Sequence, residues 1–100
     1  IDPHRDVAVL QFTGGTTGKS KAAMLTHANL LANTRQCRAW FHGAQDGQEI
    51  FLAVIPFFHV FALTSVLHLG IALGATLVTL PRFEIKQLLK TIHQTKPTIF

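Results

Sequence analysis

The sequence predicts an α/β fold with alternating strands and helices and mainly parallel pairing. Three observations carry this. Short apolar runs recur at Val7–Phe12, Ala22–Leu25, Glu49–Ile55 and Ala75–Leu80. Longer stretches with apolar residues at helical spacing lie between most of them. No charged residue occurs from Ile50 to Pro81, a span of 32 positions. Elements covered on both faces in α/β interiors read in this way. Strands separated by helices imply parallel pairing through right-handed crossovers.

Val7–Phe12 reads as a strand, and a Gly/Thr/Lys loop separates it from the short strand Ala22–Leu25. Thr26 is the expected N-cap of a helix running to about Phe41, with Leu30, Leu31, Thr34, Cys37 and Phe41 able to share a face. Residues 42–48 form a loop by their glycines and polarity. Glu49–Ile55 returns as a strand, Phe57 to about Leu73 as mostly helix, and Ala75–Leu80 as a strand. Ile85, Leu88, Leu89 and Ile92 fall at i, i+3, i+4 and i+7, predicting one buried stripe of an amphipathic helix. Pro97–Phe100 reads as the beginning of a further strand.

The chemistry concentrates in Thr13-Gly14-Gly15-Thr16-Thr17-Gly18-Lys19-Ser20-Lys21. Glycines permit positive φ and close ligand approach, so that successive N–H groups can converge on an anion. Threonine hydroxyls add donors and lysines add charge. A strand delivering such a loop is suited to a polyphosphate. It is not the P-loop of NTPases: G-x-x-x-x-G-K-[ST] ending at Ser20 needs glycine where Thr13 stands. That motif also opens a helix at its lysine, whereas Ala22-Ala23-Met24-Leu25 follows here, giving strand–loop–strand.

The stretch Phe12–His27 resembles the phosphate-binding signature of the adenylate-forming enzymes, the acyl-CoA synthetase, luciferase and adenylation-domain superfamily. Gly14 and the ending Met24-Leu25-Thr26-His27 look most like bacterial long- or medium-chain fatty-acyl-CoA synthetases. Ser20 stands where that pattern has proline, which should loosen the loop, and Ala22 where it has glycine, a residue that cannot easily hold φ > 0. A second resemblance covers residues 53–64, where an apolar strand, Pro56, aromatics and His59 look like the superfamily's next core motif. The resemblance implies a fragment of the large N-terminal domain. Within it, residues 12–22 would be the phosphate loop and residues 53–64 the acyl-site motif.

By the same resemblance, the parent enzyme activates a fatty acid with ATP and passes the acyl group to coenzyme A. Thr16, Thr17 and Lys21 would hold the β- and γ-phosphates, and Gly14, Gly15 and Gly18 would allow close backbone approach. Thr13 would be a Mg²⁺ partner. His59 would position the acyl carboxylate or adenylate, and with Lys21 it is the implied catalytic pair. Phe57, Phe58 and Phe61 would wall the apolar side. Lys19 falls at a variable position. The adenine-binding strand, a Mg²⁺ glutamate and a C-terminal lysine would lie beyond Phe100, so the chain alone is expected to be inactive. Adenylation of an aryl or amino acid is the alternative within the superfamily. A non-catalytic phosphate-binding α/β module is the alternative outside it.

Composition narrows the partners. The chain has 100 residues, 48% hydrophobic and only 14% charged, against about 25% charged in ordinary soluble domains. Such a charge-poor middle predicts self-association of the chain taken alone. Net charge is +4, but the basic residues are scattered without interleaved aromatics, which argues against a nucleic-acid partner. The expected partners are small molecules: fatty acid, ATP and coenzyme A. Cys37 is alone, so no internal disulfide can form, compatible with a reducing cytoplasm. The charge-free span is broken by Pro56, His59, Thr64, Ser65, His68, Gly70 and Gly74, which argues against a bilayer crossing. Cytoplasmic residence is expected, with peripheral attachment to the inner membrane face left open.

Overall fold

The computed structural model describes residues 1–13, 18 and 20–100, with Thr13 described by its backbone alone. Of the candidate residues, Gly14, Gly15, Thr16, Thr17 and Lys19 lie outside the described set. The chain forms two compact units, Ile1–Asn33 and Thr34–Phe100.

The first unit is a hairpin entered through a hydrogen-bonded turn. Asp6 N–H donates to the Asp2 carbonyl at 2.8 Å, and His4 N–H donates to Asp2 Oδ1 at 2.9 Å. Strands β1 (Val7–Thr13) and β2 (Lys21–Thr26) then pair antiparallel. No helix separates them, so the chain can fold straight back. Leu10 faces Met24, Phe12 faces Ala22, and the ladder ends at Thr13 opposite Lys21. Helix α1 (His27–Trp40) starts where expected. Asn29 N–H donates to Thr26 Oγ1 at 3.3 Å, while Thr26 N–H donates to Asn29 Oδ1 at 3.0 Å. This is a capping box with asparagine in the N3 place, satisfying two N–H groups that the helix cannot bond internally.

The second unit contains β3 (Ile50–Ala53), a helical run and β4 (Thr76–Thr79). The run comprises α2 (Val60–Ala62), a π-helical segment (Leu63–His68) and α3 (Leu69–Ala72). Strands β3 and β4 pair parallel, with Phe51 opposite Leu77. Phe51 also bridges Ile99 in parallel, which puts β3 between β4 and the C-terminal segment. Phe51, Leu69 and Leu73 are buried together, with Cys37, Val66, Leu77 and Ile99 packed around them. A Cβ on Gly70 would come within 2.5 Å of Leu77 Cδ2, so glycine is what lets the helix lie this close to the strand. Gly74, at φ +62°, turns the chain out of α3 and into β4. Arg38 joins three segments: it donates to the Ala72 carbonyl at 3.1 Å and to both Asp46 carboxylate oxygens at 2.7 and 2.8 Å. No described helix is long and apolar enough to cross a membrane.

Helix α4 (Ile85–Thr95) forms as its spacing requires, but its buried stripe is not the expected one. Leu88 and Thr91 are buried and Ile92 is half-buried, whereas Ile85 and Leu89 are 66% and 61% exposed. At about 100° per residue, the helix is turned so that Thr91 rather than Leu89 faces inward. A similar correction applies to α1, where Thr34 is buried but Leu31 and Phe41 are exposed. Strand β3 is shorter than the apolar run that encodes it, because its partner stops at Thr79 and the chain turns at Pro56–His59.

Candidate functional site

The phosphate-loop candidates lie in sequence between the end of β1 and the start of β2. Because Thr13 and Lys21 are the last paired residues, the ladder fixes the two ends of the intervening loop opposite one another. Register in a strand pair is discrete: a one-residue slip would send every side chain to the other face. Lys21 is exposed. Gly18 sits at φ +75°, with nothing within 4 Å of an added Cβ. Its requirement for glycine is therefore conformational, not steric crowding.

The Pro/aromatic/His motif occupies the turn leaving β3. His59 N–H donates to the Pro56 carbonyl at 2.9 Å, and the His59 carbonyl accepts from Leu63 N–H at 2.9 Å. The exposed imidazole caps α2: its Nδ1 accepts from Phe61 N–H at 3.2 Å. Beside this turn, a cavity of about 290 Å³ opens at the carboxyl ends of β3 and β4. Residues 53–57 line one side and residues 79–83 the other. Crevices outside the carboxyl ends of parallel strands are where α/β sheets bind ligands.

Among the aromatic candidates, only Phe57 is brought to this cavity. Phe58 and Phe61, 84% and 56% exposed, lie outside its lining, as does His59. Thr79, Arg82 and Phe83 join the wall without having been singled out in the sequence. The available signal was the position of Pro81-Arg82-Phe83 directly after a strand parallel to the one preceding Pro56-Phe57. No group of three or more His, Cys, Asp or Glu among the described residues could hold a metal ion.

One carboxylate is perturbed, at the opposite end of β3. The hydroxyl of Thr98 and, secondarily, the N–H of Gln45 hold the Glu49 carboxyl below its ordinary value of 4.5, slightly opposed by burial. Thr98 Oγ1 also accepts from Ile50 N–H at 3.0 Å, tying the C-terminal segment to the start of β3.

A strand–loop–strand hairpin ending in Thr13 and Lys21 is followed along the chain by a parallel α/β layer, and this order of elements is shared with the AMP-binding class. The chain belongs to the AMP-binding enzyme family, whose pattern matches residues 1–100. It is 51% identical over 100 residues to a long-chain-fatty-acid–CoA ligase of Bacillus subtilis (strain 168), covering 100% of this chain and 18% of that protein. It also resembles a solved long-chain-fatty-acid–CoA ligase from Archaeoglobus fulgidus, with a TM-score of 0.80 and 32% identity, over 98% of this chain and 19% of that one. An o-succinylbenzoate CoA synthetase from Bacillus subtilis, in complex with its acyl-adenylate intermediate, matches with a TM-score of 0.78 and 30% identity. That match covers 93% of this chain and 24% of the other. The chain thus spans under a fifth of the length of both fatty-acid ligases.

Proposed function

We propose that the chain is the phosphate-loop and acyl-motif segment of an AMP-forming fatty-acid–CoA ligase. The parent enzyme activates a fatty acid with ATP to an acyl-adenylate and then forms the coenzyme A thioester. The hairpin register is the observation that carries this reading: it brings Thr13 opposite Lys21 at the mouth of the Gly/Thr loop.

In the proposed first step the fatty-acid carboxylate attacks the α-phosphorus of ATP and pyrophosphate leaves. Two anions must approach, and charge grows on the departing phosphate oxygens. Pre-oriented donors and cations answer both problems. Thr16, Thr17 and Lys21 would hold the β- and γ-phosphates, with Gly14, Gly15 and Gly18 admitting them to the backbone. His59 would orient the carboxylate, and Phe57, Phe58 and Phe61 would face the acyl chain. Magnesium would accompany ATP and screen its phosphates. The described donor set does not fit a magnesium ion, however, because it offers no carboxylate cluster. Beyond the Thr13 hydroxyl, its protein ligands would have to come from elsewhere in the parent chain. Cytoplasmic location belongs to the same reading, supported by the single unpaired Cys37.

The test is ATP–pyrophosphate exchange by the full-length parent protein with fatty, aryl and amino acids offered separately. Exchange driven by the fatty acid, followed by its thioester on adding coenzyme A, is the expected result. Exchange driven by an aryl or amino acid instead would move the protein to another branch of the family. Exchange with none of them would reject the adenylation reading.

A further inference from the structure

A cavity of about 400 Å³ opens at the amino end of β3 and has no part in the adenylation chemistry proposed above. Trp40, Phe41, His42, Glu49 and Thr98 contribute to its lining, and among the described residues neither lysine nor arginine joins them. The Glu49 carboxylate is held by neutral groups: Oε1 accepts from Gln45 N–H at 2.7 Å, and Oε2 accepts from the Thr98 hydroxyl. Two carboxylate oxygens offer about four lone-pair sites, so roughly half of that capacity is unused. Among the described residues no cation pairs with them. Arg35 and Arg38 line a neighbouring cavity, and Arg38 is engaged by both oxygens of Asp46.

The other walls favour positive charge too. Trp40, the last residue of α1, is 84% exposed. The cavity therefore adjoins the carboxyl end of that helix, where the backbone dipole is negative. His42 Nδ1 lies 3.2 Å from the Trp40 carbonyl, an oxygen that only accepts, so Nδ1 donates and the neutral ring keeps its lone pair on Nε2. Aromatic faces attract cations through their quadrupoles. A calcium or magnesium ion would want more oxygen ligands than one carboxylate supplies.

We propose that this cavity binds an organic ammonium group on an apolar stem, with Glu49 as its counter-ion and Trp40 and Phe41 as the aromatic wall against the carbons beside the nitrogen. The ammonium belongs to a free amine or to a lysine side chain from elsewhere in the parent protein. Both present the same chemistry to the site, and the experiment separates them.

The probes are n-butylammonium, which carries the charge, and n-butanol, which has the same stem without it. Calorimetric titration of the full-length parent protein should show saturable binding of n-butylammonium that n-butanol does not reproduce. Trp40→Leu should keep its melting temperature and weaken that binding about fivefold, the order of one cation–π contact. Glu49→Gln should weaken it about tenfold or more, as loss of a charge-assisted hydrogen bond requires. Should Glu49→Gln not fold, Trp40→Leu and the butanol comparison still decide. A lysine of the parent protein that already fills the cavity would exclude the free amine. That lysine would then resist acetylation in the wild type and become reactive in Trp40→Leu and Glu49→Gln, a result that supports the site and assigns its occupant. Butanol binding as tightly as the ammonium, or unchanged affinity in the variants, would overturn the proposal. So would an absence of binding in which no lysine changes its reactivity.

Discussion

The hairpin unit and the parallel-sheet unit hold their functional residues by different means. In the sheet unit, Phe51, Leu69 and Leu73 are 1%, 0% and 2% exposed, and the turn bearing His59 lies between a buried strand and a helical run packed on it. In the hairpin, Leu10, Phe12 and Met24 are more than half exposed, and the backbones of Thr13 and Lys21 are set opposite one another by the ladder register. Packing sets positions continuously, so a lost methylene shifts its neighbours. Hydrogen-bond register sets positions in whole-residue steps. Core substitutions in the sheet unit should therefore act through stability, and loop-end substitutions in the hairpin through chemistry.

The largest effect expected from this contrast is at Phe51. Phe51→Ala in the parent protein should cost about 3–5 kcal/mol, the range for a buried phenylalanine, while exchange activity per folded molecule stays near wild type. Denaturant unfolding alongside active-site titration checks both halves. A variant that keeps its stability would show that the core lies elsewhere.

Gly18→Ala ranks next. Forcing a Cβ residue to φ +75° should cost about 1–2 kcal/mol, since no neighbour obstructs the added atom. Here the order reverses, with a modest change in melting temperature and a clear fall in ATP-dependent exchange. A loss confined to stability would place the loop end among purely structural turns.

The smallest effect concerns the Glu49–Thr98 contact, which is exposed. The folded-state pKa of Glu49 lies below 4.5, so the unfolded chain takes up the proton first as pH falls. The contact's contribution is present above pH 4.5 and is lost as pH drops through the lower folded value. Thr98→Val should flatten the stability profile of the parent protein in that acid window and leave it unchanged near neutrality. An unaltered acid limb would mean that Thr98 does not hold the carboxylate.

Much of this was legible because local signals agreed with one another. Thr26 before a helical run predicted a cap, and the structure adds the reciprocal bond to Asn29. The apolar runs at Val7 and Ala22, separated by glycines and threonines, predicted strand–loop–strand, and the structure adds their antiparallel pairing. Other features were hidden because they depend on partners distant in sequence. Which flank of α4 faces inward depends on its neighbours, so Thr91 replaced Leu89. The π-helical segment Leu63–His68 has no compositional signature. In the structure, Thr64 Oγ1 donates to the Val60 carbonyl at 3.2 Å at the start of that widened turn. Thr79, Arg82 and Phe83 meet Phe57 only because β4 stops level with β3.

The central proposal, carried by the resemblance of the loop, is that Lys21, at the end of the hairpin ladder, and not its near neighbour Lys19 is the phosphate lysine. Fatty-acid-dependent ATP–pyrophosphate exchange, measured on full-length Lys21→Ala and Lys19→Ala side by side, tests this most directly. Loss of a charge-assisted hydrogen bond of about 1.5–3 kcal/mol predicts a roughly ten- to hundred-fold slower exchange for Lys21→Ala, with melting temperature held and Lys19→Ala far less affected. Equal losses in the two variants, or the greater loss at Lys19, would contradict the account.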